Sequence, residues 1–167
     1  GELMLLIEAD KRNAGYGTQL AYAREGEAKF YVPENVHVIG MMNTADRSLS
    51  MVDYALRRRF GFITLEPAFS SPRFKAFLGE QAITDNVVNR VVLRMVSLND
   101  EIGGDAVNLG PGYRVGHSFF VPKNFVGDSE AWYREVIETE IAPLLEEYWF
   151  DAPDKASTWI AELLATS

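Results

Sequence analysis

The 167-residue sequence contains no cysteine and only two histidines, His37 and His117, which stand far apart in the chain. Without thiols there is no disulfide framework and no thiolate metal site, and two distant imidazoles do not make a zinc centre. No structural metal is expected. No apolar run approaches the roughly 20 residues needed to cross a bilayer, and no basic-then-apolar export signal opens the chain. The expected setting is therefore the cytoplasm, with no membrane partner. Also missing is any G-x-x-x-x-G-K-[ST] phosphate loop, and no strand candidate ends in paired acidic residues that could hold magnesium and activate water. Gly110-Pro111-Gly112 is not such a loop.

What is present is a folded-type composition, 47% hydrophobic and 24% charged, in a length that suits one domain or two small packed lobes. The net charge of -8 is placed unevenly. Residues 128–167 hold 10 acidic and 2 basic groups, while the 14 acidic and 14 basic groups of residues 1–127 cancel. An acidic end lacks the positive surface that phosphate-backbone binding requires, so any DNA is expected to be touched mainly by parts outside this sequence.

The run Glu2-Leu3-Met4-Leu5-Leu6-Ile7-Glu8 is apolar and helix-favouring but uncapped, as though the chain opens inside a helix of a longer protein. Turn residues at 13–17 and a charged loop at 24–27, flanked by Gln19–Tyr22 and Lys29–Val32, predict a hairpin. Val36-His37-Val38-Ile39-Gly40-Met41-Met42 reads as a strand covered on both faces, ending at the polar cluster Asn43-Thr44-Ala45-Asp46-Arg47-Ser48. Val52–Leu56 is a short helix candidate, followed by Arg57-Arg58-Arg59 and a second strand candidate, Phe60–Glu66, closed by Pro67. Strand, polar loop, helix and strand in this order describe an α/β arrangement, with functional side chains where strands end.

Beyond Pro67 the periodicity turns helical. Ser71-Pro72 reads as a cap and first turn, and Thr84 as the cap of a helix whose Val87, Val88, Val91, Val92, Met95, Leu98 and Ile102 share a face. Gly103-Gly104 is expected to stop it. Ser129 is expected to cap a helix bearing Trp132, Tyr133, Val136, Ile137 and Ile141. Pro143 should kink or restart that helix, and a last helix carries Trp159, Ile160, Leu163 and Leu164.

Asn43 is a neutral amide that can orient a water or a phosphate oxygen, or simply cap its turn together with Ser48. Asp46 and Arg47 can pair with a neighbouring element or with each other at the surface. The guanidinium run can form a solvated rim or direct a planar fork at a phosphate. His37 reads as a core histidine, and His117 as a turn or cap residue. On residue types alone these alternatives stay open.

Met42-Asn43-Thr44-Ala45-Asp46-Arg47-Ser48, with Asp53-Tyr54-Ala55-Leu56-Arg57-Arg58-Arg59-Phe60 close behind, resembles the McrB family, the GTP-hydrolysing motor subunits of modified-cytosine-specific restriction systems. Gly112–Phe120 and Ile141–Tyr148 extend the likeness, which covers nearly the whole chain. The resemblance implies a fold: a partial P-loop AAA+ three-layer α/β core with late strands and no phosphate loop over residues 1–67, then an all-helical lid over 68–167. It implies that Asn43 is the sensor-1 asparagine near the terminal phosphate. Asp46 and Arg47 belong to the signature that arranges the catalytic loop and its contact with the stimulating partner. Arg58 and Arg59 face the neighbouring subunit's nucleotide, Arg59 being the expected finger and Asp53 a supporting interface residue. Arg114 lies in the lid near the nucleotide, although outside a classical sensor-2 motif.

Residues 1–10 would end the helix after the magnesium-binding strand. The parent is then expected to use GTP, or ATP as some related motors do, with Mg2+, while this chain alone binds neither. It would form a hexameric ring with an McrC-like nuclease subunit. Alternatives are a MoxR-like or chaperone-like AAA+ ATPase, or a non-enzymatic AAA+-derived interaction module.

Overall fold

A computed structural model describes residues 2–43, 57–123 and 125–165, which divide into two compact units, Gly1–Thr64 and Leu65–Ser167. In the first, helix α1 (Glu2–Leu6) leads into 3-10 turns at Ala9–Lys11 and Ala14–Tyr16. The Asn13 side chain accepts the Gly15 N–H at 3.0 Å, which starts the second turn. Arg12 ties the unit together: its guanidinium donates to the Ile7 carbonyl at 3.0 and 2.8 Å and to the Val36 carbonyl at 2.7 Å. Thr18 and Phe30 exchange both backbone hydrogen bonds, each at 2.9 Å, as one antiparallel bridge.

The expected α/β layer, a partial P-loop AAA+ three-layer core, is not observed. The described residues are helical or irregular, and their β structure is confined to the Thr18–Phe30 bridge. The two anticipated strands, 36–42 and 60–66, join no ladder, and Ile39, Met41, Ile63 and Leu65 lie 87–98% exposed. The physical reason is that a strand is not a local object. Its N–H and C=O groups need neighbours, and a run apolar on both faces needs two covering layers. Among the described residues of the first unit only Leu6 is a buried hydrophobe, so nothing there supplies such layers. The short helix expected at 52–56 lies outside the described residues.

The second unit is a helical body. Its elements are α2 (Pro72–Glu80), α3 (Asp85–Gly104), α4 (Ser129–Val136), a π-helical turn (Ile137–Ile141), α5 (Ala142–Tyr148) and α6 (Pro153–Leu164). Between α3 and α4 run 3-10 turns at Pro111–Tyr113 and His117–Phe120. In α3 the apolar stripe is buried as its spacing predicts: Val87, Val91, Met95, Leu98 and Ile102 have no measurable exposure. Helix propensity disfavours valine by a few tenths of a kcal/mol, whereas burying each side chain contributes about 1.5–3 kcal/mol, so packing prevails.

The π turn and α5 continue α4 without a break, and the Ala142 N–H reaches back to the Ile137 carbonyl. Pro143, which has no N–H to give, is thereby accommodated at the start of α5. The cap of α4 is Asp128, accepting from the Glu130 and Ala131 N–H groups at 3.3 and 3.2 Å. The anticipated Ser129 is the buried first residue instead, its hydroxyl accepting the Thr84 N–H. No described helix is long and apolar enough to cross a membrane.

Candidate functional site

In the first unit the guanidinium run begins at Arg57, with Arg57 and Arg58 exposed. Arg59 turns inward: its Nη2 lies 2.5 Å from Glu8 Oε1, and the side chain is only 8% exposed. A charge so withdrawn from water is costly unless paired, and Glu8 provides the opposite charge. Arg58 and Arg59 line a cavity of about 340 Å³ together with Glu8, Ala9 and Asp10. Asp10 is held below the usual carboxylate range by a hydrogen bond from Lys11 at 3.0 Å, and Lys11 is raised by the same bond. The Lys11 ammonium also sits 4.4 Å from the centre of the Tyr16 ring. Asn43 is exposed and is not among the cavity's described lining residues. Asp46, Arg47 and Asp53 lie outside the described residues.

In the second unit Arg114 occupies a built position. Asn99, on the last two turns of α3 and buried, donates from Nδ2 to the Val115 carbonyl at 2.9 Å and accepts the Val115 N–H on Oδ1 at 2.6 Å. The amide thus satisfies both backbone groups of a buried residue, as a neighbouring strand would. Beside it the Arg114 guanidinium crosses the end of α3, donating from Nε to the Asn99 carbonyl and from Nη1 to Glu66, both at 3.4 Å. The C-terminal end of a helix favours a cation there. The Glu66 pair is long and largely solvated, and such pairs contribute about 0–1 kcal/mol. Arg114, Glu66, Ser70, Asn99 and Asp100 contribute to the lining of a cavity of about 330 Å³.

His117 meets no catalytic arrangement among the described residues. Its Nδ1 accepts the Ala68 N–H at 3.1 Å, which places the ring proton on Nε2, and the imidazole meets Phe69 and Phe74 edge to face. It anchors the entry to the helical body.

Glu8, Glu66 and Asn99 were not singled out from the sequence. Asn99 carries a readable signal, a polar amide directly after Leu98 in a helix that buries nine of its residues. The others are set by tertiary contacts. No group of three or more His, Asp or Glu residues among the described residues could hold a metal, so the Mg2+ implied by the resemblance has no ligand set within them.

Residues 90–157 match the family model described as McrB, alpha-helical lid domain. Over 169 aligned residues the chain is 48% identical to the Type IV methyl-directed restriction enzyme EcoKMcrB subunit of Escherichia coli (strain K12). The alignment takes in all of this chain and 37% of that protein, so the chain spans little more than a third of its relative's length.

Proposed function

Since the chain belongs to the McrB family of restriction-system AAA+ proteins, we propose that it is part of the GTP-hydrolysing, translocating motor subunit of a methylation-dependent DNA restriction system. The observation that carries this reading is the 48% identity along the entire chain, because the alignment then includes the segment 42–60 with its Asn43 loop and arginine run as well as the lid. In the assembled parent, a hexameric ring working with an McrC-like nuclease subunit, Asn43 orients the terminal phosphate or the attacking water. Asp46 and Arg47 arrange that loop and its contact with the partner. Arg114 supplies a cation to the nucleotide's phosphates from the lid.

Arg58 and Arg59 act on the nucleotide of the neighbouring subunit, supported by Asp53. A guanidinium suits this task because charge spreads over the phosphoryl oxygens in the transition state and the fork answers it without a proton to lose. Arg59 is the finger, and Glu8 is the carboxylate with which a phosphate must compete for its fork. Exposed Arg58 adds a second positive charge to the same cavity.

Mixed rings test the assignment. One full-length protomer carries Arg59→Ala with an intact nucleotide site, and the other keeps Arg59 but has its phosphate loop disabled. Neither ring alone should turn over appreciably, and mixing should restore part of the activity, since a trans finger is worth about a thousandfold or more. Co-assembly without any recovery would make Arg59 an assembly or folding residue.

A further inference from the structure

We infer that Gly103 is a positioning residue for Arg114, keeping the last turn of α3 bare so that the guanidinium can lie flat across it and face a nucleotide phosphate. This rests on the reading above that Arg114 meets the nucleotide. The argument begins with the space itself. A Cβ built on Gly103 would stand 2.7 Å from Arg114 Nε and 2.8 Å from Nη2, closer than a Cβ sits to a neighbouring atom, and 3.1 Å from Cζ, tighter than most such contacts. The planar group therefore rests on the glycine, over the surface that any side chain at 103 would fill.

The other fixed points explain why that surface matters. Asn99 grips Val115 at 2.9 and 2.6 Å, so the backbone next to Arg114 is anchored and cannot follow a displaced side chain. Nε points at the Asn99 carbonyl one turn before Gly103, and Nη1 at Glu66, which leaves the guanidinium edge along the 330 Å³ cavity. Glu66 and Asp100 also line that cavity, so an incoming phosphate must compete with Glu66 for the fork. The competition is winnable because phosphate presents more charge and more acceptor oxygens than a single solvated carboxylate.

A methyl group at 103 should therefore act on the arginine rather than on the fold. Its obstacle is the far end of a flexible side chain, which can swing into solvent, and alanine is a better helix residue than glycine. A substitution that loosens packing would lower thermal stability; this one should leave it level or raise it while moving the charge.

The experiment uses the full-length protein and a fluorescent, non-hydrolysable GTP analogue. Arg114→Ala is expected to weaken binding roughly tenfold or more, the usual consequence of losing a charge-assisted contact. Gly103→Ala should weaken it by a comparable factor with an unchanged or higher melting temperature, and adding Gly103→Ala to Arg114→Ala should cost nothing further. In steady-state hydrolysis both should raise KM more than they lower kcat. If Arg114→Ala leaves affinity unchanged, the reading of Arg114 itself fails and the inference falls with it. If Arg114→Ala weakens binding but Gly103→Ala does not, or weakens it equally in both backgrounds, or lowers the melting temperature markedly, Gly103 is not a positioning residue and the inference alone is overturned.

Discussion

Arg59 and Arg114 are held in opposite ways, and the contrast shows how little a residue type says about its setting. Arg59 is nearly buried against Glu8, whereas Arg114 keeps a third of its side chain in solvent and rests on two long contacts. Both were marked in the sequence by their motifs, but the partners that decide their geometry stand 51 and 48 positions away and have no sequence mark. Asn43 is exposed at the edge of the described segment, and the role proposed for it belongs to the transition state rather than to the fold. Replacing it with alanine in the full-length protein should therefore lower kcat by the equivalent of about 2–4 kcal/mol, as loss of one orienting donor does elsewhere, with little change in nucleotide affinity. Titration of nucleotide alongside steady-state kinetics separates the two; equal losses would assign Asn43 to binding or folding.

At the scale of elements, the seam between α4 and α6 carries a bond that can be removed alone. Tyr133, buried beneath Phe120, donates its hydroxyl to the Leu163 carbonyl at 2.8 Å, and Arg94 donates to the same carbonyl at 2.6 Å and to that of Ala165 at 2.7 Å. Burial raises the Tyr133 phenol above its ordinary value, against the weaker opposing influence of Arg94. Tyr133→Phe should lower stability by about 1 kcal/mol at neutral pH, read from urea midpoints. Because the folded value is the raised one, this contribution is complete below the ordinary tyrosine range and is lost as pH rises through the folded value. The gap between the two proteins should thus close in strongly alkaline solution. A gap that stays constant would mean that the phenol does not ionise on unfolding.

The helices here were legible because their periodicity is local: the stripe on α3 and the proline starts of α2 and α5 stand in the sequence as they do in the fold. The anticipated strands at 36–42 and 60–66 were misread because an apolar run records a demand for cover, and whether cover exists is decided by residues elsewhere. The Asn99 clamp went unseen for a related reason, since its partner Val115 lies beyond a glycine- and proline-marked turn that hydropathy cannot trace.

For the whole molecule, the sequence contains the residues proposed to sense and to reach a phosphate, but no loop to hold one. The chain by itself is accordingly expected not to hydrolyse GTP or ATP, since its polar groups cannot neutralise the charge developing on a transferred phosphoryl group. Phosphate release by the purified chain should stay at background, and turnover that rises with its concentration and survives repurification would contradict this. The π-helical turn at Ile137–Ile141 has a consequence of another kind. Each residue advances a helix by roughly 100°, so a wider turn acts as a phase shifter, letting Tyr133 and Val136 before it and Leu145 after it reach the same interior. The turn thus holds one residue more than ordinary winding needs, and removing one from 137–141 would restore that winding with the Tyr133 and Leu145 sides still facing the same interior. Composition is loose here, since Glu138, Thr139 and Glu140 are exposed, and length can shorten by the one residue that the wide turn absorbs, but by no more without turning one half of the helix toward water.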